Sequence, residues 1–393
     1  MNLIKRIIRE LRKNSLPDFV RKTLFYYFGK GRLLWALNSA DWARKKFLVK
    51  REFAKYKIGN RSGKDRIIVW VIPGTWISGG IAVVVRHANM LQERGYRVFL
   101  VTQDLKATIP WFTHQKVKVV PMSRISVLLE EGIDILIATG WNSAPTVDLL
   151  PAKRKLYFVQ SDERKFYDDP VMKQFVGTTY DLPFEYLTMA HFLQAWLREE
   201  FDQSSTYVPN GLDVAVFHPV VVRQTKTDKV RVLIEGPINI PFKGVAEAYE
   251  AVAGLDCELW LVSSNGVPPS HWKYDQFFER TPIHEMPQIY SSCDILLKMS
   301  TVESFCYPPL EMMACGGVPV ILEVSGIEEY ARHEENCLIV QSQQEARQAV
   351  ARLISDPALR ARLGRGGLET AKKWSWERSV DALEQVILRA DSQ

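Results

Sequence analysis

The sequence predicts an α/β protein with two doubly wound parallel sheets in series, preceded by a basic helical arm. Its 393 residues exceed the roughly 100 to 200 residues of an ordinary domain. Short apolar runs alternate with helix-length segments in two series, which a polar stretch at 221–229 separates. No segment repeats at an interval of about 20 to 50 residues, which argues against a solenoid or a propeller.

The first series contains six predicted strands. They are the apolar runs at 67–72, 97–102, 117–120, 133–138, 156–160 and 204–208. Helical spacing of apolar residues predicts a helix at 79–92, ended by Gly95, and a long helix at 183–200. Strands that crossover helices cover on both faces give continuous apolar runs, so this series predicts an open parallel sheet.

The second series begins after the polar stretch. Its predicted strands lie at 230–235, 258–263, 295–298 and 318–322. Its predicted helices lie at 244–253, 287–292, 309–315, 345–354, 357–372 and 376–390. Because such sheets bind ligands beyond the carboxyl ends of their strands, we expect two domains that face a central cleft holding the active site.

Positive charge is concentrated in the N-terminal arm. Residues 1–66 contain 19 Lys and Arg but only 5 Asp and Glu, whereas the formal net charge of the whole chain is +6. Residues 3–13 have the pattern of a basic amphipathic helix, and an aromatic stretch follows at 24–28. Two interpretations stay open: peripheral contact of residues 1–57 with an anionic membrane, or packing of the apolar stripe on the protein. Nucleic acid is not an expected partner, because no RNA- or DNA-binding motif accompanies the charge.

Cysteine usage and hydropathy predict a cytoplasmic protein. The five cysteines are odd in number and lack CxxC spacing, which is typical of a reducing compartment. No stretch reaches the roughly 18 apolar residues of a membrane span, and the N-terminus lacks the apolar run of a signal peptide. We therefore expect a cytoplasmic location, with peripheral attachment to the inner face of the membrane as the alternative left open above.

The strongest chemical signal is a pair of glutamates, Glu303 and Glu311, directly after a predicted strand. Pro308 and Pro309 favour the first turn of a helix, so Glu311 is predicted near a helix start and Glu303 in the loop before it. Carboxylates accept hydrogen bonds from sugar hydroxyls, and the N–H groups of a helix start bind phosphate. The pair therefore predicts a nucleotide-sugar site at the carboxyl edge of the second sheet.

The segment ESFCYPPLEMMACGGVPV, which contains both glutamates, resembles the E-x7-E signature of the retaining glycosyltransferases of family four. Other elements of that family occur in the family's order. They are Ser78-Gly79-Gly80, Asn210 to Asp213 with Phe217, Glu235-Gly236 with Lys243-Gly244, Gly326 to Glu329, Glu335-Asn336 and Trp376-Glu377. The resemblance covers about residues 66–390 and implies the GT-B fold, in which two Rossmann-like domains face a cleft.

The resemblance also implies roles for the matching residues. Glu303 would bind the transferred sugar, Glu311 the ribose, and Lys243 would neutralise the leaving diphosphate, which makes Glu303 and Lys243 the expected catalytic residues. The implied donor-binding set is Gly79, Gly80, Lys243, Glu303, Ser304, Phe305, Tyr307 and Glu311. The two early glycines would let the backbone approach the phosphate.

Three residues are expected on the acceptor side: Gln160, Asp162 and His191. Gln160 stands where many family members have a histidine, and a neutral amide binds sugar but donates no proton in acid catalysis. Asp162 is either a solvated strand end or an acceptor contact, and His191 either a buried structural histidine or an acceptor contact. The segment 158–163 resembles a subgroup that acts in rhamnose-containing polysaccharide synthesis, which implies a rhamnosyltransferase.

The chain also departs from the family pattern. Pro237 follows Gly236 where an arginine is frequent, so Lys243 is expected to bear the diphosphate charge alone or with an unidentified residue. Cys306 stands where a glycine is common. Asp168-Asp169 is not a D-x-D metal motif, and no carboxylates or histidines have useful spacing elsewhere, so we expect neither a metal nor any other cofactor besides the nucleotide-sugar substrate.

Together these patterns predict an N-terminal arm at 1–65, an acceptor-side domain at 66–208, a donor-binding domain at 209–375 and a last helix at 376–393 that could return to the first domain. The predicted function is a retaining, metal-independent glycosyltransferase, which moves a sugar from a nucleotide-diphosphate sugar to a glycan or lipid-linked acceptor in cell-surface polysaccharide synthesis. Two alternatives stay open: a catalytically degenerate protein of the same fold that binds glycan or a partner enzyme, and a nucleotide-sugar epimerase.

Overall fold

A computed structural model describes the chain at residues 48–105, 107–112, 115–220 and 228–389. The chain separates into two compact units, and unit 2 consists of Asn210–Ser379. Unit 1 takes the residues up to Pro209 together with those from Val380 onward. The amphipathic pattern at 3–13 and the aromatic stretch at 24–28 lie outside the described residues.

Unit 1 is built on a seven-stranded parallel sheet of order β3-β2-β1-β4-β5-β6-β7. Its strands are β1 (Ile67–Ile72), β2 (Arg97–Thr102), β3 (Lys118–Pro121), β4 (Ile135–Ala138), β5 (Arg154–Val159), β6 (Glu185–Thr188) and β7 (Ser205–Tyr207). Its helices are α1 (Gly79–Glu93), α2 (Ser126–Glu131), α3 (Ala144–Leu149), α4 (Pro170–Thr178) and α5 (His191–Phe201). All six residues of β1 are buried, as expected for a central strand with helices on both faces of the sheet.

The predicted helix at 183–200 is wrong in its first half. Residues Glu185–Thr188 form β6, and the helix begins only at His191. Tyr186 and Leu187 pair in parallel with β5 on one side and with β7 on the other. Four residues give too short a pattern to separate this strand from the helix that follows.

The last part of the predicted arm packs on unit 1. Residues 48–53 are helical, and Phe53 is buried in the core of the unit. Ile58 forms a parallel bridge with Ile133, and Arg61 lies 3.2 Å from the Asp134 carboxylate. For the described residues of the arm, packing on the protein is therefore the observed arrangement.

Unit 2 contains a six-stranded parallel sheet of order β10-β9-β8-β11-β12-β13. Its strands are β8 (Arg231–Glu235), β9 (Glu258–Ser263), β10 (Gln276–Glu279), β11 (Ile295–Lys298), β12 (Val318–Leu322) and β13 (Leu338–Val340). Its helices are α6 (Val245–Val252), α7 (Met286–Ser292), α8 (Tyr307–Ala314), α9 (Gln343–Ser355), α10 (Pro357–Ala371) and the first residues of α11 (Trp376–Leu388). The strands β10 and β13, at the two edges of this sheet, were not predicted.

The last helix, α11, contributes its second half to unit 1. Its residues from Val380 onward group with that unit, and Leu383 and Ile387 are buried. Arg94, the residue directly after α1, binds Asp381 at 2.7 Å and Glu384 at 2.5 Å. Among the described helices, none combines the length and the apolar character that crossing a bilayer requires.

Candidate functional site

The loop between β8 and α6 has two residues in conformations that favour glycine. Gly236 has φ +154° and Gly244 has φ +63°, and a 3₁₀ turn at Pro241–Lys243 lies between them. A Cβ on Gly244 would lie 1.9 Å from the Met299 carbonyl oxygen. Only a glycine therefore lets this loop approach the chain that leaves β11.

Hydrogen bonds fasten the same loop to the segment before Glu303. The Thr301 amide donates to the Phe242 carbonyl at 2.9 Å. The Ser300 hydroxyl donates to the Lys243 carbonyl at 3.2 Å. The loops that follow the adjacent strands β8 and β11 therefore form one connected surface at the carboxyl edge of the sheet.

Lys243 and Glu303 meet on this surface. The Lys243 ammonium donates to Glu303 Oε1 at 2.7 Å. The side chains of Lys243 and Glu303 are 24% and 11% exposed to solvent, respectively. Glu303 lies in the loop before α8, as the sequence predicts. The geometry joins the two expected catalytic side chains, 60 residues apart in the chain, and leaves both partly open to solvent.

Gly244→Ala should destabilise unit 2 by about 3 kcal/mol or more, because it combines a left-handed backbone with a steric overlap. Gly254→Ala is the matched control, since Gly254 also has a positive φ, +77°, but has open space around its Cβ position. The control should cost only about 1 to 2 kcal/mol. Urea unfolding of both variants measures the difference; equal losses would contradict the close approach to Met299.

Glu311 lies on α8, about one turn after the helix begins at Tyr307, with Pro308 and Pro309 in the first turn. The Tyr290 hydroxyl on α7 donates to Glu311 Oε2 at 2.9 Å. Burial raises the pKa of Glu311 to about 8, against the opposing effect of the Tyr290 hydrogen bond. At neutral pH the carboxyl group is therefore mostly protonated in the free protein.

Aromatic packing supports the loop between the two glutamates. Phe305 is 2% exposed, and its ring lies 4.9 Å from Tyr307, 5.4 Å from Tyr330 and 5.3 Å from Trp374, measured between centroids. Of the predicted donor residues in this loop, Phe305 thus has its side chain in the core, and Ser304 and Tyr307 are half-buried. Contact of Phe305 with a donor would have to use its backbone.

Cys306 immediately precedes α8 in the left-handed conformation, with φ +60° and ψ 76°. The Tyr330 hydroxyl donates to the Cys306 carbonyl at 2.6 Å and holds this turn. Cys306 therefore adopts a backbone conformation that favours glycine, at a strain of about 1 kcal/mol or more.

In unit 1, Gly79 and Gly80 begin α1 after β1. A Cβ on Gly80 would lie 3.3 Å from the Gln160 side-chain oxygen, and the Gln160 amide donates to the Thr139 carbonyl at 3.3 Å. The structure therefore brings together the glycine turn and one of the three expected acceptor-side residues, at the carboxyl edge of the sheet.

Asp162 is not a solvated strand end. It is buried, accepts from the Arg164 side chain at 2.8 Å and 3.0 Å, and caps the 3₁₀ turn Glu163–Phe166. Its neighbour Glu163 accepts from the Trp141 amide at 2.6 Å and from the Tyr157 hydroxyl at 3.2 Å. Burial raises the pKa of Glu163 to about 7.

His191 is the first residue of α5 and is exposed, so the expectation of a buried histidine is wrong. Its ring centroid lies 4.0 Å from that of Tyr207 on β7. The error follows from the misplaced helix, because a residue in the middle of the predicted helix is at the start of the real one. His191 nevertheless follows β6, next to β5 in the sheet, and so lies at the same edge as Gln160.

Sequence reasoning missed two polar partners at the unit 2 site. Tyr290 lies 21 residues before Glu311, with no motif that links them. Lys298, the last residue of β11, binds Glu235 at 2.9 Å. A lysine that closes an apolar strand was the available signal for the second contact. Across the described ranges no group of three His, Cys, Asp or Glu residues could hold a metal ion.

Comparison with known proteins agrees with the site's position. Residues 275–370 match the family of glycosyl transferases group 1. The matched group 1 segment contains Glu303 and Glu311. The O-antigen biosynthesis protein RfbC of Myxococcus xanthus is 26% identical over 382 residues, which cover 91% of this chain and 30% of that protein. The chain thus spans about a third of the length of this relative.

Solved structures of other proteins share the architecture. Sucrose-phosphate synthase from Thermosynechococcus elongatus superposes with a TM-score of 0.71 at 17% identity, over 82% of this chain and 98% of that one. Anabaena HepE in complex with UDP-glucose superposes with a TM-score of 0.65 at 13% identity, over 81% and 99%. These likenesses show that the chain has the GT-B fold, with two Rossmann-like domains.

Proposed function

We propose that the chain is a retaining, metal-independent glycosyltransferase that uses a nucleotide-diphosphate sugar and acts on a glycan or lipid-linked acceptor in cell-surface polysaccharide synthesis. The observation that carries the proposal is the 2.7 Å contact of Lys243 with Glu303 at the edge of the unit 2 sheet. The Lys243 ammonium can bind the phosphate of a sugar–phosphate bond, and the Glu303 carboxylate beside it can accept hydrogen bonds from the sugar hydroxyls. The group 1 match and the O-antigen relative support the same reaction class.

We infer the reaction from the contacts that a bound donor would make with Lys243 and Glu303 in place of their ion pair. A bound nucleotide sugar would donate a sugar hydroxyl to Glu303 and place its diphosphate against Lys243. The acceptor hydroxyl then attacks the anomeric carbon from the face that the diphosphate leaves, and its proton passes to the leaving diphosphate. One C–O bond forms, another breaks, and the anomeric configuration is retained. Lys243 stabilises the negative charge that grows on the leaving group.

For the donor, the HepE complex supports a nucleoside-diphosphate sugar, and the resemblance of the 158–163 segment supports rhamnose. Thermal unfolding against a panel of nucleotides and nucleotide sugars, with and without chelator, tests both. A ligand at 100 times its dissociation constant should stabilise the fold by about 2.7 kcal/mol. Stabilisation by one nucleotide family that persists with chelator supports the proposal. Stabilisation that chelator abolishes would contradict metal independence.

A degenerate protein that binds glycan or a partner enzyme is the second candidate. Pro237 favours it, because the loop lacks the arginine that is frequent after Gly236. The retained Lys243–Glu303 pair opposes it. Failure of every nucleotide in the panel to stabilise the protein would favour the binding role over catalysis.

Residues 1–57 are proposed to contact an anionic membrane surface, because positive charge is concentrated in the arm. Sedimentation with vesicles of anionic lipid tests this with the full chain and with a chain shortened to begin at residue 48, which keeps the segment that packs on unit 1. Lower binding of the shortened chain is expected. Equal binding would contradict the proposal.

Donor affinity should rise with pH, because an ionised Glu311 accepts stronger hydrogen bonds from the ribose hydroxyls than the protonated group does, and its pKa is about 8 in the free protein. Below that pKa the protonated form of Glu311 dominates, so the proton competes with the nucleotide sugar for the carboxylate. Between pH 7 and pH 9 the affinity for the nucleotide sugar should therefore increase about tenfold. Titration calorimetry measures the effect, and Glu311→Gln should bind more weakly with no such slope. An equally steep slope in that variant would show that another group titrates.

A further inference from the structure

Lys298 is the last residue of β11 and is only 3% exposed. Its ammonium donates to the Glu235 carbonyl oxygen at 2.8 Å and to Glu235 Oε2 at 2.9 Å. Burial is the largest single effect and acts against the charge, but the Glu235 carboxylate and smaller contributions from neighbouring groups, Glu303 among them, together raise the pKa of Lys298. Lys298 is thus a buried, permanently charged residue at the end of the strand that leads to Glu303.

The ammonium lies directly against the start of the loop between β8 and α6. A Cβ on Gly236 would lie 3.4 Å from Lys298 Nζ and 3.8 Å from Lys243 Cβ. The two lysines therefore flank the same glycine, one from the end of β11 and one from within the loop.

Pro237 increases the dependence of this loop on the two lysines. Proline has no backbone N–H and no charged side chain, so position 237 supplies neither a hydrogen-bond donor nor a cation to a phosphate. The bond from Lys298 to the Glu235 carbonyl fixes the backbone one residue before Gly236. Gly236 itself has φ +154°. Because glycine has a freely adjustable backbone, contacts such as this one must hold it in that conformation.

We propose that Lys298 is a positioning residue of the donor-phosphate site, which holds the Glu235–Gly236 backbone so that Lys243 meets the diphosphate and which adds positive charge beneath the loop. The role rests on the proposed function. The competing explanation is purely structural: Lys298 would only neutralise the Glu235 carboxylate.

Two variants separate these explanations. Lys298→Met alone would leave the partly buried Glu235 carboxylate without its cation and could unfold the unit, so the change is made together with Glu235→Gln. The reference is Glu235→Gln alone, which keeps the ammonium and its bond to the main-chain carbonyl. Melting temperatures establish that both variants are folded.

The measurement is the dissociation constant of a nucleoside diphosphate and of its parent nucleoside, for the base that stabilises the wild type. The double variant should bind the diphosphate about tenfold more weakly than the reference, a loss of about 1.4 kcal/mol. Binding of the nucleoside, which lacks phosphate, should be unchanged. Lys298→Arg on the Glu235→Gln background should restore part of the diphosphate affinity.

Equal weakening of both ligands would assign Lys298 a structural role and overturn the proposal, as would unchanged binding of both. Failure of the proposed function is recognised separately. In that case the wild type itself binds no nucleoside diphosphate, and the donor site is rejected before the variants are compared.

Discussion

Lys243→Met should lower the rate of sugar transfer about 10³-fold while leaving the fold intact. The Lys243 ammonium lies 2.7 Å from Glu303 in the free protein, and in the reaction it would face the charge that develops on the leaving diphosphate. Removing one such group from a preorganised site costs about 2.7 to 4 kcal/mol of transition-state stabilisation. Release of nucleoside diphosphate in the presence of acceptor measures the rate.

Lys273→Met is the matched control, because Lys273 is an exposed lysine of the same unit. It should retain the wild-type rate. A Lys243→Met variant that keeps more than about a tenth of the activity, with an unchanged melting temperature, would remove Lys243 from the catalytic machinery.

Glu303→Gln should lower transfer about 10²-fold or more. The amide keeps the shape of the side chain but replaces one acceptor oxygen by a donor and removes the charge that holds Lys243. Hydrogen bonds to a charged partner contribute about twice as much as neutral ones, so the loss should appear both in turnover and in donor affinity. The rate of transfer and the dissociation constant of the nucleotide sugar are the two measurements.

Glu247→Gln is its control, since Glu247 is exposed on α6. Retained transfer in Glu303→Gln, with donor affinity unchanged, would refute the assignment. Lost transfer with unimpaired function in the cell would instead favour the binding protein over the enzyme.

Sequence patterns predict the fold well where elements are long or flanked by clear breakers. The helix α1 after its glycine turn and the helix α8, whose first turn contains its two prolines, are found within two residues of their predicted starts. The strand β6 was lost because it is followed after two residues by a helix of similar composition. Pairing with β5 and β7, which is not a local property, decides its conformation.

The site is predictable where it depends on motifs and not where it depends on tertiary contacts. Lys243 and Glu303 were expected from separate motifs, and their direct contact comes from the crossing of two loops. Tyr290 and Lys298 have ordinary local surroundings in the sequence. Only helix packing brings Tyr290 to Glu311, and only the pairing of β11 with β8 brings Lys298 to Glu235. The raised pKa of Glu311 is likewise not predictable from the sequence, because the burial that causes it is a tertiary property.

All five cysteines of the chain belong to unit 2, and all but Cys257 are buried. A thiol-modifying reagent can therefore reach four of them only when that unit opens locally or unfolds. Labelling rates, read by intact mass, would report the opening equilibrium of the unit 2 core without an engineered probe. Since unit 1 contains no thiol, slower labelling in the presence of a nucleotide would reveal protection of unit 2 itself.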